Sequence, residues 1–166
     1  MKNIIELNKT DFFSKNQLRE KSTEVSFDDS NFRTYIDELT MAFMNNEISV
    51  GLAAPQIGIF KRIAIVNIDK KNNNNHLYLI NPQIISLSGS KKTMKETCLS
   101  LPNFRGAVTR REKILLKYYD VSGNLIEEKY ESFTSRVIQH EIDHLDGILY
   151  VDRMDNKEDL EEINGR

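Results

Sequence analysis

Two of the three histidines in this 166-residue chain stand in His140-Glu141-Ile142-Asp143-His144. On a helix, positions i and i+4 share one face, so both imidazoles can reach a single metal ion. Glu141, next to the first histidine, can bring its carboxylate beside that ion and handle the protons of a water held there. A divalent ion lowers the pKa of bound water to about 7. The carboxylate that takes the proton can later return it to a leaving group. Two ordinary core or surface histidines would give the same five letters. The flanks favour the metal: Val137, Ile138, Ile142, Leu145 and Ile148 make the segment apolar on most sides. Such a helix is buried, and buried imidazoles need partners.

Two sources could supply a third ligand. Cys98, in Glu96-Thr97-Cys98-Leu99-Ser100-Leu101-Pro102, could be a small buried hydrophobe or a thiolate made by the ion. The tail offers Glu158, Glu161 and Glu162, as a zinc peptidase would need. His76 is isolated beside an asparagine tract. A further segment, Ser49-Val50-Gly51-Leu52-Ala53-Ala54-Pro55-Gln56, is small and apolar and ends in an amide. Small residues let backbone approach a ligand, and Gln56 could donate to an oxyanion; a tightly packed turn explains the segment equally well.

The elements that must hold these residues are legible in outline. Phe32, Tyr35, Ile36, Leu39, Ala42 and Phe43 recur at helical spacing, with Asp28, Asp29 or Ser30 as cap and Asn45-Asn46 as stop. Ile63 to Val66, Leu77 to Ile80 and Ile84 to Leu87 read as short strands. Lys113 to Tyr119 and Leu125 to Tyr130 flank Ser122-Gly123-Asn124, a hairpin signal. Asn72 to Asn75 reads as another hairpin tip. The last helix starts near Ser132 or Thr134 and stops at Asp146-Gly147. Residues 1–27 have weak periodicity and read as a loosely structured arm; residues 153–166 form a short acidic tail. This order of elements implies an α+β fold in one domain over residues 1–166.

Lys plus Arg is 23 and Asp plus Glu is 25, a net charge of −2 that gives no pull toward nucleic acid or anionic lipid. One cysteine excludes an internal disulfide and suits a reducing compartment. No apolar run approaches the roughly 20 residues of a membrane span, and the start lacks a signal peptide's apolar stretch. A cytoplasmic protein is expected.

Taken together the three segments resemble the peptide deformylase family. That family has, in this order, a glycine-rich segment ending Leu-Ala-Ala-Pro-Gln, a Glu-Gly-Cys-Leu-Ser segment, and His-Glu-X-X-His followed by Leu and Gly. Here they read Gly51 to Gln56, Glu96 to Ser100, and Gln139 to Gly147. The resemblance implies antiparallel sheets wrapped around a central C-terminal metal-binding helix. It implies that Cys98, His140 and His144 hold one divalent ion per chain, Fe²⁺ in cells, the set also accepting Zn²⁺, Ni²⁺ or Co²⁺. Glu141 would be the general base and acid. The Gln56 amide and the Leu99 backbone N–H would hold the oxyanion. Val50 and Gly51 would meet the substrate, with Arg105 near its groove, and Arg110 would pair with Glu96 behind the ligands.

The implied reaction removes the formyl group from N-formylmethionine of a nascent chain. The partners are N-formylmethionyl peptides and, transiently, the ribosome, with no nucleic acid or membrane. Three departures stand out. Ser49 and Thr97 replace family glycines, and threonine would be strained if its position required positive φ. Arg136, one turn before His140, stands where common members are apolar beside the methionine pocket; it would alter side-chain preference or snorkel to solvent. These departures leave a second reading, a non-catalytic relative that binds formylated peptides.

Overall fold

The computed structural model describes residues 2–46, 48–68 and 76–163. The asparagine tract lies outside them. The elements in chain order are α1 (Phe32–Met44), β1 (Gly51–Ala53), β2 (Ile63–Asn67), β3 (His76–Cys98), β4 (Leu101–Tyr119), β5 (Leu125–Glu131), α2 (Ser132–Leu145) and β6 (Glu161–Glu162). The first five strands form one sheet in the order β1-β2-β3-β4-β5, and β6 adds to β4. Every pairing among these strands is antiparallel.

β2 shows why the sheet lies between two helices. Its residues alternate faces, as strand geometry requires. Ile63 and Ile65 pack with Ile36, Leu39 and Phe43 of α1. Ala64 and Val66 pack with Val137, Ile138 and Ile142 of α2. Both faces are covered, so the strand reads as an unbroken apolar run. α2 is therefore central, and apolar contacts from β1, β2, β3 and β4 reach it.

Several elements differ from the sequence expectation. The runs at residues 77–80 and 84–87 belong to one 23-residue strand, β3. Register shifts between Ile80 and Gln83, Ile84 and Ser86, and Ser88 and Lys91 interrupt its pairing with β4. Gly89 takes φ +73° and Asn81 φ +49° at these irregularities. Bulges break the period-2 pattern, so one strand looks like several. The N-cap of α1 is Asn31, one residue after the last of the expected caps, and Asp29 instead accepts from the Asn31 N–H through its side chain. α2 has Glu131 at its N-cap and no side-chain cap bond there.

The N-terminal arm is also tied down. Phe12 and Leu18 are buried beside Cys98 and Leu101, and Val25 joins the α1 core. The Ile5 N–H donates to the Gln56 carbonyl at 2.7 Å, and the Leu7 N–H to the Ser100 carbonyl at 2.8 Å. This segment straps two of the chemistry-bearing motifs together. It lacks periodicity because it runs as irregular chain with two 3-10 turns, at Lys9–Asp11 and Gln17–Arg19.

The end of α2 depends on Gly147, which takes φ +72° against the Arg19 backbone. A β-carbon there would meet the Arg19 carbonyl as well as the left-handed conformational penalty. Gly147→Ala is expected to destabilise the protein by at least about 1–3 kcal/mol, since backbone strain alone reaches that range. Urea unfolding checks this; an unchanged midpoint would show that the arm does not press on this turn.

Candidate active site

β3 ends at Cys98, and β4 starts three residues later, so Leu99 and Ser100 form the turn. α2 crosses beside this turn and presents His140 and His144 one helical turn apart. The ligand atoms of Cys98, His140 and His144 all lie within 4.8 Å of one another. The Cys98 Sγ is 3.3 Å from the His144 Nε2. The Nδ1 of His140 faces the Glu96 carboxylate at 3.0 Å, which leaves its Nε2 for the shared centre. Burial, reinforced by the neighbouring His140, holds His144 well below its ordinary pKa. A thiol and two imidazoles converging in a buried place suit a divalent transition metal. The tail glutamates do not supply the third ligand: Glu161 instead pairs with Lys95 and Arg105.

Glu141 is buried, and its Oε2 has no hydrogen-bond partner among the described residues. Burial pushes its carboxyl up to about 7, against the opposing pull of His140 and Arg110. Gly51 lies directly against it. A β-carbon on Gly51 would collide with Glu141 and with Val137 of α2, so only glycine lets β1 pass this close.

Gln56 follows on a 3-10 turn, Ala54–Ile57, that carries Pro55 near its start. Its Oε1 accepts from the Ala53 N–H at 2.9 Å. A backbone N–H only donates, so the amide oxygen must face it and the NH₂ must face the other way. That NH₂ lies 3.5 Å from the Cys98 Sγ and 3.1 Å from the Ser100 Oγ. The donor is aimed at the place where the ligands converge.

Glu96, two residues before Cys98, joins three elements. Arg110 of β4 donates to both its oxygens, at 2.7 and 2.9 Å. Arg136 of α2 donates to its Oε1 at 2.5 Å. Burial disfavours its charge, but the hydrogen bonds from His140 and Arg110 outweigh that and hold its pKa far below the usual carboxylate range. Arg110 also reaches Asp143 at 2.7 Å, and Asp143 in turn accepts from Arg153 at 2.7 Å.

A cavity of about 160 Å³ opens beside the ligands. Val50, Gly51, Gln56, Glu96, Cys98, Leu99, Arg136, His140 and Glu141 all line it, with Ile48, Met94, Phe133 and Val137 as apolar wall.

A sequence profile described as polypeptide deformylase matches residues 2–160. The chain belongs to this family. It is 42% identical over 139 residues to a peptide deformylase of Desulforudis audaxviator, covering 82% of this chain and 86% of that one. The crystal structure of a Synechococcus elongatus peptide deformylase in complex with actinonin superposes with a TM-score of 0.81 at 32% identity, covering 95% of this chain and 81% of that one. A Met-Ala-Ser-bound peptide deformylase of Acinetobacter baumannii gives 0.78 at 29% identity, covering 91% of this chain and 96% of that one. The enzyme removes the formyl group from nascent peptides, and the cluster of Cys98, His140 and His144 is a candidate site for a single metal ion. The fold is the expected α+β arrangement, with antiparallel strands around the C-terminal helix.

Arg105 is not among the residues that line the cavity; its Nε donates to Glu161 at 2.8 Å, and its side chain stays 42% exposed. Arg136 does not snorkel: it is 7% exposed and held by Glu96 and two backbone carbonyls. Thr97 is free of the strain considered above, because it is not among the residues of positive φ and sits in register with Arg105. Ser49 donates to the Gly51 carbonyl at 2.8 Å. Sequence reasoning missed Asp143 and Arg153. A buried aspartate on an apolar helix needs cations, and that signal was available.

Glu96→Gln removes the charge that orients His140. Metal affinity is expected to fall about 10–100-fold, the usual effect of losing a partner behind a ligand. Competition with a chromophoric chelator measures this; an unchanged affinity would mean that His140 needs no orienting carboxylate.

Proposed function

We propose that Cys98, His140 and His144 hold the catalytic ion and that Glu141, Gln56 and Leu99 carry out the hydrolysis around it. The observation that supports this most directly is the convergence of three ligand atoms within 4.8 Å, beside a cavity that Glu141 and Gln56 also line. When bound, the ion supplies a Lewis acid that brings the pKa of water to about 7. Glu141 takes the proton of the attacking water on its unpartnered Oε2. The water oxygen bonds to the formyl carbon, and the C–N bond breaks. Glu141 returns the proton to the departing amine nitrogen, leaving formate and a free amino terminus. The Gln56 NH₂ and the Leu99 N–H stabilise the negative oxygen that develops on the formyl group.

The peptide lies along the backbone of Val50 and Gly51 as an added strand. Its methionine side chain enters the apolar part of the cavity, between Ile48, Val50, Phe133 and Val137. Arg110 and Glu96 hold His140 from behind. A formyl carbon carries only hydrogen where an internal amide carries a bulky group. The tight approach of Gly51 to Glu141 therefore admits the first and excludes the second. The ion in the cell is ferrous iron, and the setting is the cytoplasm, with transient contact to the ribosome as the nascent chain emerges.

Formate release from formyl-Met-Ala-Ser under anaerobic conditions tests the reading. Glu141→Ala should retain metal and lose roughly 10²–10⁴ in rate. Gln56→Ala should cost about 10²–10³ in kcat. Cys98→Ala should lose metal, while a chain ending at residue 155 should keep it. Metal-loaded protein with no turnover would refute the proposal.

A further inference from the structure

A second cavity, of about 200 Å³, opens where β3 and β4 meet the start of α2. Four cations line it, Lys92, Arg110, Arg111 and Arg136, against one carboxylate, Glu112. Met94 and Phe133 give it an apolar wall. Lys92, Arg110, Arg111 and Glu112 do not line the active cavity, so most of this charge belongs to a separate place.

Two of the cations are held deep and two stand at the rim. Arg110 is 6% exposed and Arg136 7%. Arg110 donates three hydrogen bonds, two to Glu96 and one to Asp143. Arg136 also donates three, to Glu96 and to the Val108 and Lys92 carbonyls. A guanidinium has five N–H donors, so each retains two with no acceptor among the described residues. At the rim, Arg111 is exposed and donates to the Gly89 carbonyl at 2.9 Å. The Lys92 side chain is 60% exposed, with its Nζ 3.2 Å from Glu112. Such an exposed pair is weak and gives way to a competing anion at little cost.

The ion pairs behind the cavity do not cancel its charge. Glu96 and Asp143 answer Arg110 and Arg136, but Asp143 also accepts from Arg153. Five cations therefore surround three carboxylates, an excess that an anion in the cavity would relieve. The planar fork of a guanidinium matches the two oxygens of a carboxylate. The apolar wall of Met94 and Phe133 favours a ligand that is part hydrocarbon over a fully polar oxyanion.

We propose that this cavity is a second binding site, for a monocarboxylate with a short apolar tail. The carboxylate takes the remaining donors of Arg110 and Arg136 and is closed in by Lys92 and Arg111. The tail lies on Met94 and Phe133. The site stands apart from the hydrolysis and does not depend on which residues carry that out.

The probe is butyrate, titrated into the zinc-loaded full chain and followed by saturation transfer to its methyl protons. Butyrate is expected to bind, and the double variant Lys92→Ala/Arg111→Ala to weaken it at least about tenfold, the effect of losing a hydrogen bond to a charged group. Butyramide, of the same shape without the charge, should bind at least about tenfold more weakly than butyrate. No binding of butyrate would overturn the proposal. Equal affinity in wild type and double variant would also overturn it, since the carboxylate would then sit on the metal centre alone. Equal binding of butyramide would remove the cations from the site. Inorganic phosphate displacing butyrate at equal concentration would overturn the assignment to a carboxylate. Should the double variant fail to fold, Arg111→Ala alone decides by the same tenfold criterion.

Discussion

One buried carboxylate sets the geometry of the site. Glu96 belongs to β3, Arg110 to β4, and Arg136 and His140 to α2. All three meet its two oxygens. A charge taken out of water is costly unless its lone pairs are filled by good partners. Here the forked Arg110 guanidinium fills both oxygens, and the remaining positions go to helix α2. Of the proposed ligands, Cys98 is two residues along β3 from Glu96, and His140 is one helical turn from Arg136. Fixing Glu96 against Arg136 and His140 thus fixes the sulfur against the imidazoles. The same carboxylate sets which nitrogen of His140 is free to bind.

The other side of the cleft is set by the absence of side chains. Gly51 lets β1 lie against Glu141, where any β-carbon would collide. Ala53 leaves its N–H within reach of the Gln56 oxygen, and that bond turns the amide donor toward Cys98. The N-terminal arm then pins the Gln56 carbonyl and the Ser100 carbonyl from behind. Polar clamps position one wall and close packing positions the other. The two walls fail for different reasons: the first by losing a charge, the second by gaining volume.

These two kinds of constraint differ in how visible they are in a sequence. The i, i+4 histidines, the hairpin at Ser122-Gly123-Asn124 and the stop at Gly147 are local, and spacing reveals them. Gly123 and Gly147 both take the positive φ their turns require. The single strand from His76 to Cys98 was not legible, because its bulges and its exposed residues 85–95 erase the alternation. The arm before residue 28 reads as loose in the sequence for a similar reason. Its burial comes from isolated side chains such as Phe12 and Leu18, which carry no period. Arg136 stays open between the pocket and solvent in the sequence, because an arginine on a helix has two ordinary fates, solvent or a buried partner. Only the tertiary position of Glu96, forty residues away, decides between them.

Glu141 draws these constraints together. Its carboxylate is buried with Gly51 directly against it, and burial raises its pKa to about 7. His140 and Arg110 oppose that rise, so the site neither locks the proton on nor abandons it. A group that must accept a proton and then give it back works best when its pKa lies near the working pH. In the proposed mechanism the glycine that makes room for the peptide backbone is also the residue that lets β1 pack against Glu141. Access for the substrate and tuning of the base are one packing decision, made where β1 crosses α2.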